Sequence, residues 1–366
     1  MRTEITRTLG IEYPIFAFSH CRDVVAAVSK AGGFGVLGVS RHSEEDLRVD
    51  LRWIRDQVGD KPFGVDLIFP EKSAAGETEE ESLAKIPAQH REFVAGLMRR
   101  FAVPEPTDES SARLYSAHKL TVEHFERLAE VALEMDISML VSALGTPPAH
   151  LIEDCRAKGI QLGALVGSTR HAERQIAAGT DVLIAQGHEA GGHVGNISTM
   201  VLVPQIVDVA QGRPVLAAGG VADGRQVAAS LALGAQGVWM GSVWLTTSES
   251  DLQDSLVERL LAAQSSDAVV SRTYSGKPAR ILRTEWVSAW EEEGAPSPLP
   301  TPLQGLLVRD AMTSAVEHGI PAVLGTPVGQ TVGQLVRRES CAGVIGRLVE
   351  DYIGATERLY ELNEDD

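Results

Sequence analysis

The 366-residue chain is poor in cysteine, carries fewer cationic than anionic side chains and has no long apolar run. Its three cysteines, Cys21, Cys155 and Cys341, lie far apart without a CxxC pair. This usage predicts reduced thiols in a cytoplasmic protein and gives no sign of a zinc site. Lys and Arg number 33 against 50 Asp and Glu, and the formal charge of -17 disfavours a nucleic-acid or anionic-membrane partner. An anionic cofactor remains compatible, because backbone N–H groups and helix N-termini bind phosphate without lysine.

The sequence also lacks targeting and membrane signals. The opening stretch MRTEITRTLGIEYP has no apolar core of the kind that secretory signals need, so we expect no secretion. No apolar run approaches the length of a membrane span. What the chain does contain, 44% hydrophobic and 23% charged residues, is typical of a globular protein with a large core. At this length we expect one large α/β domain with extensions or two smaller domains.

Eight short, apolar, β-prone segments alternate with amphipathic helical segments along most of the chain. The predicted strands span residues 13–18, 34–39, 63–69, 137–144, 161–167, 182–187, 214–220 and 237–242. Strands that are apolar on both faces and joined by helices are typical of a parallel sheet. Eight such units predict an α/β fold of the closed (β/α)8 TIM-barrel type. The alternative is an open doubly wound sheet, which usually has fewer strands and an early glycine fingerprint.

Two regions interrupt this alternation. Residues 70–120 form a long polar insertion after the third strand, which we predict to be a helical excursion over the mouth of the barrel. Its segment SARLYSAHKL (111–120) is a candidate lid. The alternation stops after about residue 265. Further along, a proline-rich connector, residues 296–304, precedes a helical terminus. We therefore predict a barrel domain over 1–265 and a mostly helical C-terminal extension over 266–366, packed on the barrel.

The segment AQGHEAGGHVG, residues 185–195, follows the sixth predicted strand and combines glycine with His188, Glu189 and His193. Clustered glycines indicate a chain that passes close to a neighbouring group. The ordinary pKa of imidazole, near 6.5, lets a histidine accept a proton at neutral pH. We expect Glu189 to brace the loop or cap a backbone N–H, and His188 to be solvated. A zinc site is disfavoured, because the spacing matches no known motif.

Glycines also end the seventh and eighth predicted strands, in VLAAGGVADG and WMGS. In a TIM barrel, the loops at these two positions and the N-terminus of a short following helix form a recurrent phosphate site. Backbone N–H groups and the helix dipole supply the attraction for the anion. The alternative is that the glycines only turn the chain, but their presence at both strand ends favours the phosphate site.

These three segments together resemble the nitronate monooxygenase family, formerly the 2-nitropropane dioxygenases, which are FMN-dependent TIM barrels related to a flavin-containing class of enoyl-ACP reductase. The resemblance covers roughly residues 5–245, with the later pieces YSGKPAR and PSPLPTPLQ. It implies that His193 is the catalytic residue. The FMN-binding positions that it implies are Ala17, Phe18, Asp66, Gln186, Gly191, Gly192, Gly219, Gly220, Trp239, Met240, Gly241 and Ser242.

Two of these positions depart from the family pattern, which commonly has Asn at Asp66 and Gln at Trp239. The carboxyl group of Asp66 has three alternative states. It stays ionised beside the flavin, it is protonated by desolvation and imitates an amide, or it turns away and caps a backbone group.

The activity that the resemblance implies is oxidation of nitronates or nitroalkanes with dioxygen. His193 would be the base toward a neutral nitroalkane or the electrostatic partner of a nitronate anion. The alternatives are an NAD(P)H-dependent FMN reductase of enoyl thioesters or quinones, and a flavin-binding module without turnover, which His193 disfavours. We expect a small-molecule substrate and dioxygen as reactants. We expect no nucleic-acid, membrane or metal partner. A homodimer is compatible with the sequence.

Overall fold

The computed structural model describes residues 1–40, 42–69, 79–106 and 122–363. Its strands are β1 Ile15–Ser19, β2 Phe34–Gly38, β3 Phe63–Ile68, β4 Met139–Leu144, β5 Gln161–Val166, β6 Val182–Gln186, β7 Gly192–His193, β8 Val215–Ala218, β9 Gly237–Met240, β10 Ala268–Ser271 and β11 Ala279–Leu282. Eight strands close into a parallel barrel in the order β1, β2, β3, β4, β5, β6, β8, β9, and β9 pairs with β1. The predicted (β/α)8 TIM barrel is therefore confirmed.

Side chains alternate between the inside and the outside of this barrel along each strand. On β1, Phe16 belongs to the interior cluster, whereas Ile15 and Ala17 pack outward among helical residues. The interior cluster also contains Phe34, Val36, Met139, Val141, Val182, Ile184, Leu216, Ala218 and Trp239. Because these side chains fill the lumen, a site can form only at the end of the barrel, on the loops that follow the strands.

The helices lie outside the barrel and begin and end at recognisable capping residues. Ser43 and Ser168 each accept a backbone N–H at the start of a helix, and Gly159 and Gly179 end helices in the left-handed conformation. The α-helices of the described residues are Glu4–Leu9, Arg22–Lys30, Glu44–Val58, Glu79–Ala84, Ala88–Arg100, Val122–Leu133, Ala149–Lys158, Thr169–Ala178, Thr199–Val209, Gly224–Ala232, Asp254–Ala262, Glu285–Ala289, Leu303–Glu317 and Cys341–Glu361.

The described part of the insertion after β3 is helical, as predicted. It contains the helices Glu79–Ala84 and Ala88–Arg100. Val94 and Leu97 of the second helix pack in one apolar cluster with Trp286 of the C-terminal extension. The insertion thus contacts the C-terminal extension. The candidate lid segment 111–120 lies outside the described residues.

The C-terminal extension contains strands as well as helices. Here β10 pairs antiparallel with β11, and β11 pairs antiparallel with β7, which comes from the loop after β6. The expectation of a mostly helical extension missed this small sheet. The reason is that β10 and β11 have four residues each and β7 only two, so no periodicity develops in the sequence.

The long terminal helix Cys341–Glu361 packs against the barrel helices through Val344, Ile345 and Leu348. Cys21, Cys155 and Cys341 are all free and buried, as expected for reduced thiols. Burial raises the pKa of Cys155 to about 11 and that of Cys341 to about 12, so both thiols stay protonated and unreactive. No helix in the described part of the chain has the length and apolarity that a membrane crossing needs.

Candidate active site

The carboxyl end of the barrel gathers several residues that the sequence assigned to a cofactor. In β6, Leu183 and Ala185 pack outward. Because side chains alternate along a strand, Gln186 points toward the interior. By the same alternation, Ala17 and Met240 place their side chains outward, among helical residues. Only the backbone of these last two residues can face a ligand at the mouth of the barrel.

Aromatic rings form the floor of this mouth. The Trp239 ring stacks on Phe18 with 6.1 Å between centroids, and on Phe16 with 6.5 Å. Trp239 is buried, and Phe18 is half-buried. The indole at Trp239, where the family commonly has Gln, thus adds an apolar surface that continues the packed lumen.

Asp66 brings a carboxyl group into the same interior. Its strand neighbours Val65 and Leu67 belong to an outer cluster, so the Asp66 side chain faces inward. It is buried, and its Oδ2 atom has no hydrogen-bond partner within the described residues. Burial raises the pKa of the Asp66 carboxyl well above its usual range. Of the three alternatives, the structure favours a protonated carboxyl, which can donate a hydrogen bond as an amide would.

The glycines after β6 have a packing reason that the sequence did not reveal. A Cβ atom at Gly187 would lie 2.0 Å from Thr199 Oγ1, and one at Gly191 would lie 2.8 Å from the carbonyl carbon of Val328. Both neighbours belong to the protein itself. The chain's own packing therefore requires glycine at these two positions.

The glycine pair at the end of β8 differs from these. Gly219 and Gly220 have φ values of 89° and 73°, a left-handed conformation that other residues rarely adopt. A Cβ at Gly219 would meet Ala190 at 2.9 Å, whereas at Gly220 the nearest atom is 3.7 Å away. At Gly220 the neighbours Glu189 and Thr199 lie at ordinary contact distance, so it is the positive φ that requires glycine there.

Glu189 caps the helix that follows the loop. Its carboxylate accepts a hydrogen bond from the Thr199 N–H at 2.9 Å and another from Thr199 Oγ1 at 3.0 Å. Thr199 is the first residue of the helix Thr199–Val209, where a negative charge is stabilised by the helix dipole. Glu189 thus has the capping role that the sequence offered as one alternative.

His188 is tied into the loop, in contrast to the expected solvated side chain. Its Nδ1 atom donates to the Gly195 carbonyl at 2.7 Å, and its backbone N–H donates to the Ile197 carbonyl at 2.8 Å. The imidazole is half-buried. These contacts make His188 a structural element of the loop.

His193 differs from His188 because its ring is exposed. It lies in β7, opposite Ala279 of β11. Its Nδ1 atom is 3.1 Å from the carbonyl oxygen of Pro278. A carbonyl oxygen only accepts, so Nδ1 carries the proton and the neutral ring presents the Nε2 lone pair. An exposed imidazole with an assigned tautomer is suited to proton transfer.

The C-terminal extension supplies further residues that the sequence analysis did not single out. The Arg280 guanidinium is buried and donates through Nε and Nη2 to the His188 carbonyl at 3.1 and 3.0 Å. Gly329 of the extension donates its backbone N–H to Ser242 Oγ of the barrel at 2.8 Å. Arg280 lies within the YSGKPAR piece that carries the resemblance, which was the only sequence signal for it. The stretch around Gly329 has no recognisable motif.

Within the described residues, no group of three or more His, Cys, Asp or Glu side chains is arranged to hold a metal ion. The eight-stranded parallel barrel, with a positive-φ glycine turn after β8 and an exposed histidine after β6, has the architecture of a TIM-barrel enzyme, and the family that the chain matches makes it an oxidoreductase. The nitronate monooxygenase family model matches residues 2–351, and the chain belongs to that family.

Curated relatives cover almost the whole chain. A Mycobacterium tuberculosis protein named "Putative monooxygenase" is 46% identical, covering 99% of both chains. A protein of Staphylococcus haemolyticus named "Probable nitronate monooxygenase" is 30% identical over 86% of this chain and 87% of its own.

Solved structures of the same architecture exist. FabK from Thermotoga maritima superposes with a TM-score of 0.75 at 26% identity, covering 99% of both chains. A nitroalkane oxidase from Streptomyces ansochromogenes superposes with a TM-score of 0.79 at 23% identity, covering 97% of this chain and 99% of its own. The second likeness is one of fold.

Proposed function

We propose that the protein is an FMN-dependent monooxygenase that oxidises nitronates or nitroalkanes with dioxygen, with His193 as its catalytic residue. The observation that carries the proposal is the exposed His193 imidazole, whose Nδ1 proton is held by Pro278 and whose Nε2 lone pair is free. Family membership over residues 2–351 supplies the reaction class.

The residues at the mouth fit a flavin mononucleotide. The Asp66 Oδ2 atom is a buried polar group that has no partner within the described residues, and a heteroaromatic ring with donors and acceptors would satisfy it. The backbone N–H groups of the positive-φ turn at Gly219 and Gly220 would bind the phosphate. The residues proposed to hold FMN are Ala17, Phe18, Asp66, Gln186, Gly191, Gly192, Gly219, Gly220, Trp239, Met240, Gly241 and Ser242. When bound, FMN would supply the redox chemistry with dioxygen.

His193 would act on the substrate in one of two ways that depend on its protonation. Toward a neutral nitroalkane, Nε2 accepts the acidic proton of the α-carbon, so that a nitronate forms. Toward a nitronate that is already an anion, the doubly protonated ring faces the nitro oxygens and stabilises their charge. In both cases the Pro278 carbonyl accepts a hydrogen bond from Nδ1, and it stabilises the imidazolium.

An anaerobic reductant screen on the purified yellow protein tests the reaction class. We expect nitronate to bleach the flavin and NADH and NADPH to leave it oxidised. Reduction by NADH or NADPH but not by nitronate would replace the proposal with the alternative, a flavin reductase of enoyl thioesters or quinones.

Substitution of the two loop histidines tests the catalytic assignment. The variant His193→Asn is expected to retain flavin and to lose turnover by about 10²–10⁴-fold, the usual range for a positioned acid–base group. His188→Asn is the matched control, because its ring bonds within the loop, and we expect a much smaller loss. Equal losses in steady-state turnover would show that the assignment within the loop is wrong.

A further inference from the structure

The loop that carries His193 meets the barrel at both of its ends. At the start, the Gly187 N–H donates to the Ala218 carbonyl of β8 at 2.9 Å. At the other end, Thr199 lies against the end of β8, with its Oγ1 atom 3.0 Å from the Gly219 carbonyl oxygen, and Glu189 accepts the Thr199 N–H. The part that presents His193 lies between these anchors and pairs with the C-terminal extension. The position of the imidazole therefore depends on that extension.

One buried side chain joins the extension to this loop. Arg280 is only 3% exposed. Its Nε and Nη2 atoms donate to the His188 carbonyl at 3.1 and 3.0 Å, and its Nη1 atom donates to the Ala268 carbonyl of β10 at 2.6 Å. The planar guanidinium thus spans two carbonyl groups from different segments. A lysine ammonium has the same charge but lacks the rigid fork that reaches both.

Residues 278–280, which include Arg280, also contact the ring of His193 and its strand. In the β11–β7 pairing, Arg280 lies opposite Gly192 and Ala279 lies opposite His193. The carbonyl oxygen of the next residue toward the N-terminus, Pro278, accepts a hydrogen bond from His193 Nδ1 at 3.1 Å. Three consecutive residues thus clamp the loop, pair with its strand and select the tautomer. A shift of β11 relative to the loop would break the Nδ1 hydrogen bond.

We propose that Arg280 is a positioning residue for His193: its clamp on the His188 carbonyl keeps β7 and β11 in the register at which Pro278 selects the tautomer with a free Nε2. This inference rests on the proposed function of His193. Arg280 does not touch the substrate in this role and acts through His193 alone. Groups that orient a metal-ligating histidine through hydrogen bonds typically change activity by about 10–100-fold when removed, and we expect an effect of similar size for Arg280.

A double-mutant cycle tests the proposal on the full-length flavoprotein. We expect Arg280→Lys to lower kcat by about 10–100-fold, with KM and FMN content nearly unchanged, because binding does not depend on the tautomer. In the His193→Asn background the same substitution is expected to change kcat by less than about 3-fold, since its target is gone. Equal losses in both backgrounds would overturn the proposal.

Arg283→Lys is the matched control for this cycle. Arg283 follows closely in the chain, but it is exposed and pairs with Glu291 at 2.6 Å. We expect it to leave kcat unchanged. A loss equal to that of Arg280→Lys would show a general effect on the extension and would also contradict the proposal.

Nitrogen-15 NMR of histidine-labelled protein tests the tautomer directly. This measurement does not depend on turnover. We expect the neutral His193 ring of the wild type to be protonated at Nδ1, and that of Arg280→Lys to populate both tautomers. A wild-type ring protonated at Nε2, or an unchanged tautomer in Arg280→Lys, would refute the positioning role. An active His193→Asn variant would refute the proposed function instead, so the two failures are distinguishable.

Discussion

At the residue scale, Asp66 contributes a carboxyl group to an interior that is lined mainly by apolar side chains. An ionised carboxylate without a partner is costly in such surroundings, so the group keeps its proton above the pH at which an exposed aspartate would lose it. The unfolded chain has no such constraint. Asp66 therefore makes the stability of the protein depend on pH.

The sign of this dependence leads to a prediction for Asp66→Asn. Below the ordinary aspartate pKa, about 3.9, the folded and unfolded chains both carry the proton. Above it, only the folded chain does, so Asp66 destabilises the fold increasingly until the pH reaches its raised pKa. Asparagine has no proton to hold. We expect the free energy of unfolding of Asp66→Asn to rise relative to the wild type between pH 4.5 and pH 8, as measured by urea denaturation. A difference that stays constant or falls would show that Asp66 is ionised in the folded protein.

At the scale of elements, the loop after β6 illustrates why glycine is needed where two backbones meet. The backbone N–H of Gln330 donates to the Glu189 carbonyl at 2.9 Å, and Gly191 lies directly against Val328. The segment 328–330 thereby covers the side of the loop. No side chain fits between the two backbones.

Substitution of Gly191 tests this packing. In Gly191→Ala the new Cβ would lie 2.8 Å from backbone atoms of Val328, which cannot rotate away. We expect a loss of about 1–3 kcal/mol in the free energy of unfolding, typical of overpacking. Gly195→Ala is the control, because its nearest atom is 3.6 Å away, and surface changes of this kind usually cost below about 0.5 kcal/mol. Equal stability of the two variants in thermal or urea unfolding would contradict the packing described here.

At the scale of the whole molecule, the candidate site is shared between the barrel and the C-terminal extension. His193 follows a barrel strand, while Pro278 and Arg280 come from the extension. The division into a barrel over 1–265 and an extension over 266–366 stays a proposal. The pairing of β7 with β11 means that the two parts form a single site whichever boundary is chosen.

The composition of the site also predicts which flavin the whole protein carries. The sequence contains one candidate phosphate turn, at Gly219 and Gly220, and no second glycine fingerprint of the kind that binds an adenylate half. We expect heat release from the purified protein to yield FMN, identified by its mass. Release of FAD would contradict the single-phosphate interpretation.

Much of the architecture was predictable from the sequence. The eight barrel strands were recognised because runs such as FGVDLIF and QLGALVG are apolar on both faces and each is followed by a helical segment. The glycine pair and the histidine loop were recognised because they follow these strands directly. Strand, turn and helix signals are local, so neighbouring residues suffice to reveal them.

The candidate site was only partly predictable, because its remaining contacts join distant segments. The protonated state of Asp66 depends on burial inside the closed barrel, and the role of Arg280 depends on a carbonyl of a loop far earlier in the chain. The glycine at Gly191 is explained by Val328, which no local pattern connects to it. The sequence by itself determined the barrel, the family and the position of the histidine loop. Only the tertiary structure shows the burial of Asp66 and the hydrogen bonds of His193 with Pro278 and of Arg280 with His188, because each depends on groups that meet only when the chain has folded.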